Sequence, residues 1–203
     1  MTNFYLSDMH LGHTNNMAFD DRPFATIEEN DNTIIENWNN TVGIDDDVFI
    51  LGDVSWHNST DTIEIFKNLN GNKHIIRGNH DNKILKNPKM REQFIEITDY
   101  KEITTDDGSG LVLCHYPIIA FKNHYYGWTH FYGHVHNTWE YGLVEQARMQ
   151  SIEISGKPCN MINVGVMMPW MNYTPKTYTE IINAYNDYCN ERNSHDSNQG
   201  ASS

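Results

Sequence analysis

The sequence predicts an α/β fold in which two sheets pack together with helices outside. Three observations predict it. Short apolar runs alternate with helical patterns through the first half, the second half switches to short strands joined by turn-rich loops, and each apolar run ends in a cluster of Asp, Asn or His. A β-α-β-α-β order implies parallel strands covered by helices, and the mixed strands that follow call for a second sheet.

The elements follow in order. Residues 4–6 form the first strand. Residues 26–39 form a helix: Thr26 and Glu29 have capping-box spacing, and Ile27, Ile34, Ile35 and Trp38 recur on one face. Residues 48–51 form a buried strand and residues 60–69 a helix with Ile63, Phe66 and Leu69 inward. Residues 74–76 form the third strand. Residues 100–104 and 111–114 flank the turn-rich stretch 106–110 and read as a hairpin. A further strand lies at 130–132. Residues 149–154 and 159–164 flank Ser155-Gly156-Lys157-Pro158 and read as a second hairpin. An amphipathic helix over 178–189 closes the domain, which spans residues 1–189. Residues 190–203 are polar, end in Gln199-Gly200-Ala201-Ser202-Ser203, and read as a disordered tail.

Bulk composition narrows the function. A chain of 203 residues suits one domain. Its 27 acidic against 14 basic residues give a net charge of -13, which weighs against strong nucleic-acid binding, because gripping phosphate backbone takes clustered Lys and Arg. The same balance suits cation binding. Cys114, Cys159 and Cys189 are odd in number and widely spaced, so they read as free thiols of a reducing compartment rather than a disulfide framework. With no secretory signal and no apolar stretch of membrane-spanning length, the expected location is the cytosol, of a bacterium or of a phage-infected host, with no membrane partner.

The polar clusters carry the chemistry. The first strand runs into Asp8-Met9-His10, the second into Gly52-Asp53, the third into Gly78-Asn79-His80-Asp81, the strand at 111–114 into His115, and the strand at 130–132 into Gly133-His134-Val135-His136. Ligands of open α/β sheets bind beyond the carboxyl ends of the strands, so five strands would deliver these groups to one rim. Carboxylate, imidazole and amide oxygen are donors for borderline divalent metals. The Gly before Asp53, Asn79 and His134 would let backbone turn tightly or approach closely. A lone Asp-x-His is a common pattern; five motifs in order, each at a strand end, are specific.

This series resembles the calcineurin-like metallophosphoesterases over nearly the whole folded chain. It is most similar to the small bacterial and phage predicted phosphoesterases, which share the longer signature seen here as Asp8-Met9-His10-Leu11-Gly12-His13, Arg22-Pro23-Phe24, Trp38-Asn39 and His115-Tyr116-Pro117. The resemblance implies a four-layer α-β-β-α sandwich with two mixed sheets. It implies a pair of divalent ions, manganese first, with iron, nickel, zinc or magnesium as alternatives. Asp8, His10 and His136 would hold one ion, Asn79, His115 and His134 the other, and Asp53 would bridge. His80 would stand beside the scissile phosphate as proton donor to the leaving group. The activity implied is phosphoester hydrolysis, of a monoester or a diester, by a hydroxide shared between the ions. The protein-phosphatase branch differs: here Asp53 is followed by Val54-Ser55-Trp56, with no carboxylate at position 56 to partner the catalytic His.

Two further residues are candidates for substrate contact. His13 either reaches the phosphate or makes a hydrogen bond behind the ligands, and Arg22 either grips phosphate in bidentate fashion or forms a structural salt bridge. His124, Tyr125, Tyr126 and Trp128 either wall the pocket, where they would stack a nucleobase, or pack in the interior. His57, His74 and His195 have no motif context. Only eighteen residues separate His115 from His134, which leaves little room for a cap domain. The expected pocket is therefore shallow and suited to a small nucleotide-like phosphoester. Two other readings remain: an inactive scaffold of the same fold that binds proteins, and a nuclease working with a partner.

Overall fold

The computed structural model describes residues 1–105 and 107–199. In the first sheet, β1 (Asn3–Leu6), β2 (Asp47–Ile50), β3 (Asn72–Ile76) and β4 (Glu96–Thr98) run parallel, and β9 (Lys176–Thr177) lies antiparallel on the β1 edge, giving the order β4-β3-β2-β1-β9. In the second sheet, β5 (Tyr100–Thr104) pairs antiparallel with β6 (Gly110–Cys114), and β6, β7 (Thr129–Tyr132) and β8 (Asn160–Asn163) run parallel. Tyr5 of β1 meets Phe131 of β7 edge-on, with ring centroids 5.3 Å apart, and stacks on Phe49 of β2. The two sheets therefore face one another across one apolar core, with helices outside, as the sequence leads one to expect.

The helices form where the sequence supplies caps and an apolar face. Helix α2 (Ile27–Thr41) starts at Thr26, whose hydroxyl accepts from Glu29 N, and buries Ile34 and Trp38. Helix α3 (Ser59–Asn68) is capped by Asn58 and buries Ile63 and Phe66. A short helix α1 (Thr14–Phe19) between β1 and α2, and a single turn α4 (Pro88–Arg91), escape periodicity because neither is long enough to show it.

Two sequence expectations are corrected. The proposed hairpin at 149–164 is absent: α5 runs Trp139–Ser155 with Thr138 as N-cap and Gly156, at φ +64°, as C-cap. Because β7 and β8 are parallel, their connection has to cross over, and a helix provides it. The six-residue alternation from Met149 is too short a window to outweigh those caps. Helix α6 runs Tyr178–Gln199, so helix also occupies residues 190–199, where a tail was expected. Extending a nucleated helix costs little per residue even when the sequence is polar. Residues 200–203 lie outside the described residues. Among the described residues no helix is long and apolar enough to cross a membrane.

Candidate metal centre

Backbone pairing does not stop where the strands stop. Beyond β1 and β2, Asp8 N donates to Gly52 O (3.1 Å), His10 N to Asp53 O (3.0 Å) and Leu11 N to Val54 O (3.1 Å). The carboxylate of Asp81, itself buried, accepts from Asp53 N at 2.9 Å, Val54 N at 3.0 Å and Gly78 N at 2.7 Å. This one side chain ties the loop after β3 to the loop after β2. Two glycines make the approach possible. A Cβ on Gly78 would overlap Asp53 Oδ1, and one on Gly133 would overlap Ser7 Oγ and Asp8 Oδ2.

These loops bring the seven side chains singled out in the sequence to one rim. His10 Nε2 and His136 Nε2 are 3.0 Å apart, and His136 Nε2 is 3.6 Å from Asp8 Oδ1. On the other side, Asn79 Oδ1 lies 3.0 Å from His115 Nε2 and 2.9 Å from His134 Nδ1. Asp53 Oδ2 stands between the groups, 3.7 Å from His10 Nε2 and 3.7 Å from His115 Nε2. Two clusters of ligand atoms mutually within 4.8 Å result, Asp8 with His10 and His136, and Asp8 with Asp53 and His115. Asp8, His10, Asp53, His134 and His136 all have left-handed backbone, with φ between 48° and 71°. Such residues cost on the order of 1–3 kcal/mol each and persist where the surroundings over-determine them.

The donor set fits cations. His115 Nδ1 donates to the Leu51 carbonyl at 2.7 Å, which leaves its Nε2 lone pair facing the oxygens of Asn79 and Asp53. Three acceptors then converge with no donor among them. On the other side, burial alone would lower the pKa of His136, but the hydrogen bond from its Nδ1 to Asp20 Oδ1 (2.7 Å) and the charge of Asp8 raise it overall. Burial and the neighbouring His136 hold His10 far below the usual imidazole range. Burial, with the charge of Asp8, pushes Asp53 up to about 7. Buried carboxylates and imidazoles crowded together in this way form a donor set suited to a divalent cation.

Asp20, which carries no sequence motif, is the residue that sequence reasoning missed. Its Oδ1 orients His136, and its Oδ2 accepts from Arg22 Nε at 3.1 Å. A carboxylate behind a ligating imidazole fixes the ring and raises its basicity. Arg22 is buried, and it also donates to the carbonyls of Asp8 and Met9, both at 3.0 Å, and to Asn30 Oδ1 at 3.1 Å. Its guanidinium is committed to protein acceptors, which is the structural salt bridge of the two alternatives that the sequence offers.

His80 is half-exposed on the open side of this group, with Nε2 3.9 Å from Asp53 Oδ2, while its backbone N–H donates to Asp53 Oδ1 at 3.0 Å. Partial burial lowers the pKa values of both His80 and His13. Trp56 packs between them, with centroid distances of 4.3 Å to His80 and 4.1 Å to His13. A cleft of about 310 Å³ opens over His10, Asp53, Asn79, His80, His134 and His136, and His13, Phe19 and Trp56 also border it. His124, Tyr125, Tyr126 and Trp128 do not line it. Trp128 packs instead over Gly110 and beneath Lys122, and Lys157 lies over Tyr125. The aromatic wall is Trp56 and Phe19, with Tyr116 against His134 at 4.7 Å. His57, without a motif, pairs with Asp31 at 2.8 Å.

Comparison with known proteins agrees with this geometry. The family model for calcineurin-like phosphoesterases matches residues 4–186. An uncharacterized protein of Methanocaldococcus jannaschii is 33% identical over 162 residues, which cover 77% of this chain and 82% of that protein. The gene 66 protein of Mycobacterium phage L5 is 38% identical over 82 residues, 38% of this chain and 39% of its own length. Among solved structures, a protein of unknown function from Aquifex aeolicus superposes with a TM-score of 0.65 at 26% identity, covering 89% of this chain and 97% of its own.

Proposed function

The chain belongs to the calcineurin-like phosphoesterase family, and on that premise we propose that it hydrolyses a small, nucleotide-like phosphoester with two divalent ions. The observation that carries the reading is Asp53 Oδ2 standing midway between His10 and His115, with Asp8 and His136 completing one donor set and Asn79 and His134 the other. In this assignment Asp53 is the shared ligand. The all-nitrogen-and-oxygen donor set, without thiolate, suits manganese, with iron, nickel, zinc or magnesium as substitutes. When bound, such a pair lowers the pKa of a shared water and offsets the charge of phosphoryl oxygens.

The chain's own residues do the rest. Asp20 and the Leu51 carbonyl hold His136 and His115 with the correct nitrogen inward. His80, on the open side and supported by Trp56, protonates the leaving oxygen as its bond to phosphorus breaks and the bond from the attacking water forms. A positioned general acid contributes on the order of 10²–10⁴ in rate. A substrate phosphate beside His80 offsets the burial that lowers its pKa. Three free cysteines suit a reducing cytosol.

The test is turnover of p-nitrophenyl phosphate and bis-p-nitrophenyl phosphate with Mn, Ni, Mg and Zn. Hydrolysis that disappears in His80→Ala while that variant still binds metal supports the reading. Two bound metal equivalents with no turnover of either ester would assign the chain to the scaffold class instead.

A further inference from the structure

A second hollow, of about 390 Å³, adjoins the metal cleft, and Trp56, Asn79 and His80 line both. The two hollows share a wall that includes the imidazole assigned to the leaving oxygen, so a group carried by that oxygen has this second lobe beside it. Its outer wall is the segment directly after the Gly78-Asn79-His80-Asp81 motif, with Lys83 and Lys86 on the surface.

The lobe is positive in a chain whose net charge is -13. None of its lining residues is Asp or Glu, and the carboxylate of Asp31 behind it is taken up by His57 at 2.8 Å. Among the described residues Lys83 and Lys86 form no ion pair, as is also true of Lys73, Lys89, Lys157 and Lys176, but of these lysines only Lys83 and Lys86 line the lobe. Residues Ile84–Lys86 form a 3₁₀ turn with Lys83 at its start. Side chains three apart eclipse on such a turn, so the two ammonium groups leave the same side. The turn is fixed to the catalytic loop: Ile84 is buried, and Leu85 N donates to the carbonyl of the pinned Asp81 at 3.0 Å.

The geometry points to a second phosphate subsite, in which Lys83 and Lys86 hold a phosphate carried by the leaving group. The substrate class is then a nucleoside bisphosphate, cleaved at the phosphate over the metal ligands and anchored by the other. This deepens the phosphoesterase reading and rests on it. A lysine pair suits the task, because each ammonium is a point charge that meets a phosphate from any side.

The experiment compares adenosine 3′,5′-bisphosphate with adenosine 3′-monophosphate and p-nitrophenyl phosphate, using the unaltered protein and the double variant Lys83→Ala/Lys86→Ala. Both side chains are exposed, so the variant folds. The unaltered protein should prefer the bisphosphate over the 3′-monophosphate by about tenfold or more in kcat/KM, the worth of one charge-assisted contact. The double variant should lose that preference through KM and keep p-nitrophenyl phosphate turnover within about twofold. Equilibrium binding of adenosine 5′-monophosphate, the leaving group itself, should weaken about tenfold in the variant. Equal use of both nucleotides with normal p-nitrophenyl phosphate turnover overturns the subsite and leaves the hydrolase reading standing, and so does an equal loss on every substrate. Lysine-dependent binding of adenosine 5′-monophosphate without turnover of any ester overturns the hydrolase reading and with it the bisphosphate as substrate, and leaves only a phosphate-binding pair of lysines. The absence of both overturns both.

Discussion

Replacing Asp20 tests whether one buried carboxylate both holds the fold and tunes the metal site. Its Oδ1 is 2.7 Å from His136 Nδ1, and its Oδ2 is 3.0 Å from an Arg22 terminal nitrogen, with both charged side chains essentially sealed from solvent. Asp20→Ala leaves the buried guanidinium with only neutral acceptors. Breaking a buried pair in this way costs about 3–5 kcal/mol. Loss of the anchor behind His136 separately costs about 10–100-fold in metal affinity, or about 1.4–2.7 kcal/mol. The two losses are read in different assays. The first appears as a lower urea midpoint in the presence of chelator, and the second in a Mn titration of the folded protein. Asp20→Asn keeps the volume and one acceptor oxygen, which can serve either His136 or Arg22, so it should show a smaller loss in each. If Asp20→Ala binds Mn within about twofold of the unaltered protein, the carboxylate does not orient the ligand and the argument fails.

Three other perturbations have signs fixed by the structure. Gly133→Ala drives a Cβ into Ser7 Oγ and Asp8 Oδ2, so it should lose metal occupancy and about 1–3 kcal/mol of stability; full occupancy by elemental analysis would contradict the tight approach. His130 is buried with its pKa lowered to about 4 by desolvation, opposed by the nearby carbonyls of Val112 and Tyr116; in the neutral ring Nδ1 donates to Val112 O and Nε2 accepts from Ile118 N. Its neutral form is the one that folds, so its contribution is complete above the unfolded-state value near 6.5 and is lost as pH falls from there toward 4, by up to about 3 kcal/mol. A urea midpoint that falls across this window in the unaltered protein, and falls less in His130→Gln, is the expected result. Asp53, raised to about 7, and His136, raised above the usual imidazole value, both hold protons at low pH, so Mn affinity should drop by at least about tenfold per pH unit below 7. Calorimetric titration in two buffers of different ionisation enthalpy measures the proton released at pH 6.5, and finding none would refute the competition.

The sequence made the strand-end motifs legible because each ligand lies within a few residues of an apolar run that names its position. Asp8, Asp53, Asn79, His115 and His134 all follow a strand, and the topology then has little choice about where they meet. What supports them was not legible. Asp20 sits at the C-terminus of a six-residue helix with no motif around it, and its partners His136 and Arg22 are 116 and 2 residues away. An acidic residue two positions before a buried Arg was the one available signal. Helix α5 escaped for another reason. It buries no residue completely, so its apolar stripe is faint and a short alternating stretch imitates a strand. The aromatic-rich segment before His134 packs away from the cleft, and the rings that border it come from positions 19 and 56, in α1 and in the loop after β2.

The zipper between the loops after β1 and β2, and the clasp that Asp81 places on them, use main-chain amides and a carboxylate that is no ligand. The socket therefore keeps its shape whichever ion it receives, because no rung of the scaffold is a coordination bond. On the proposed metal reading, exchange of one divalent ion for another would therefore need no refolding.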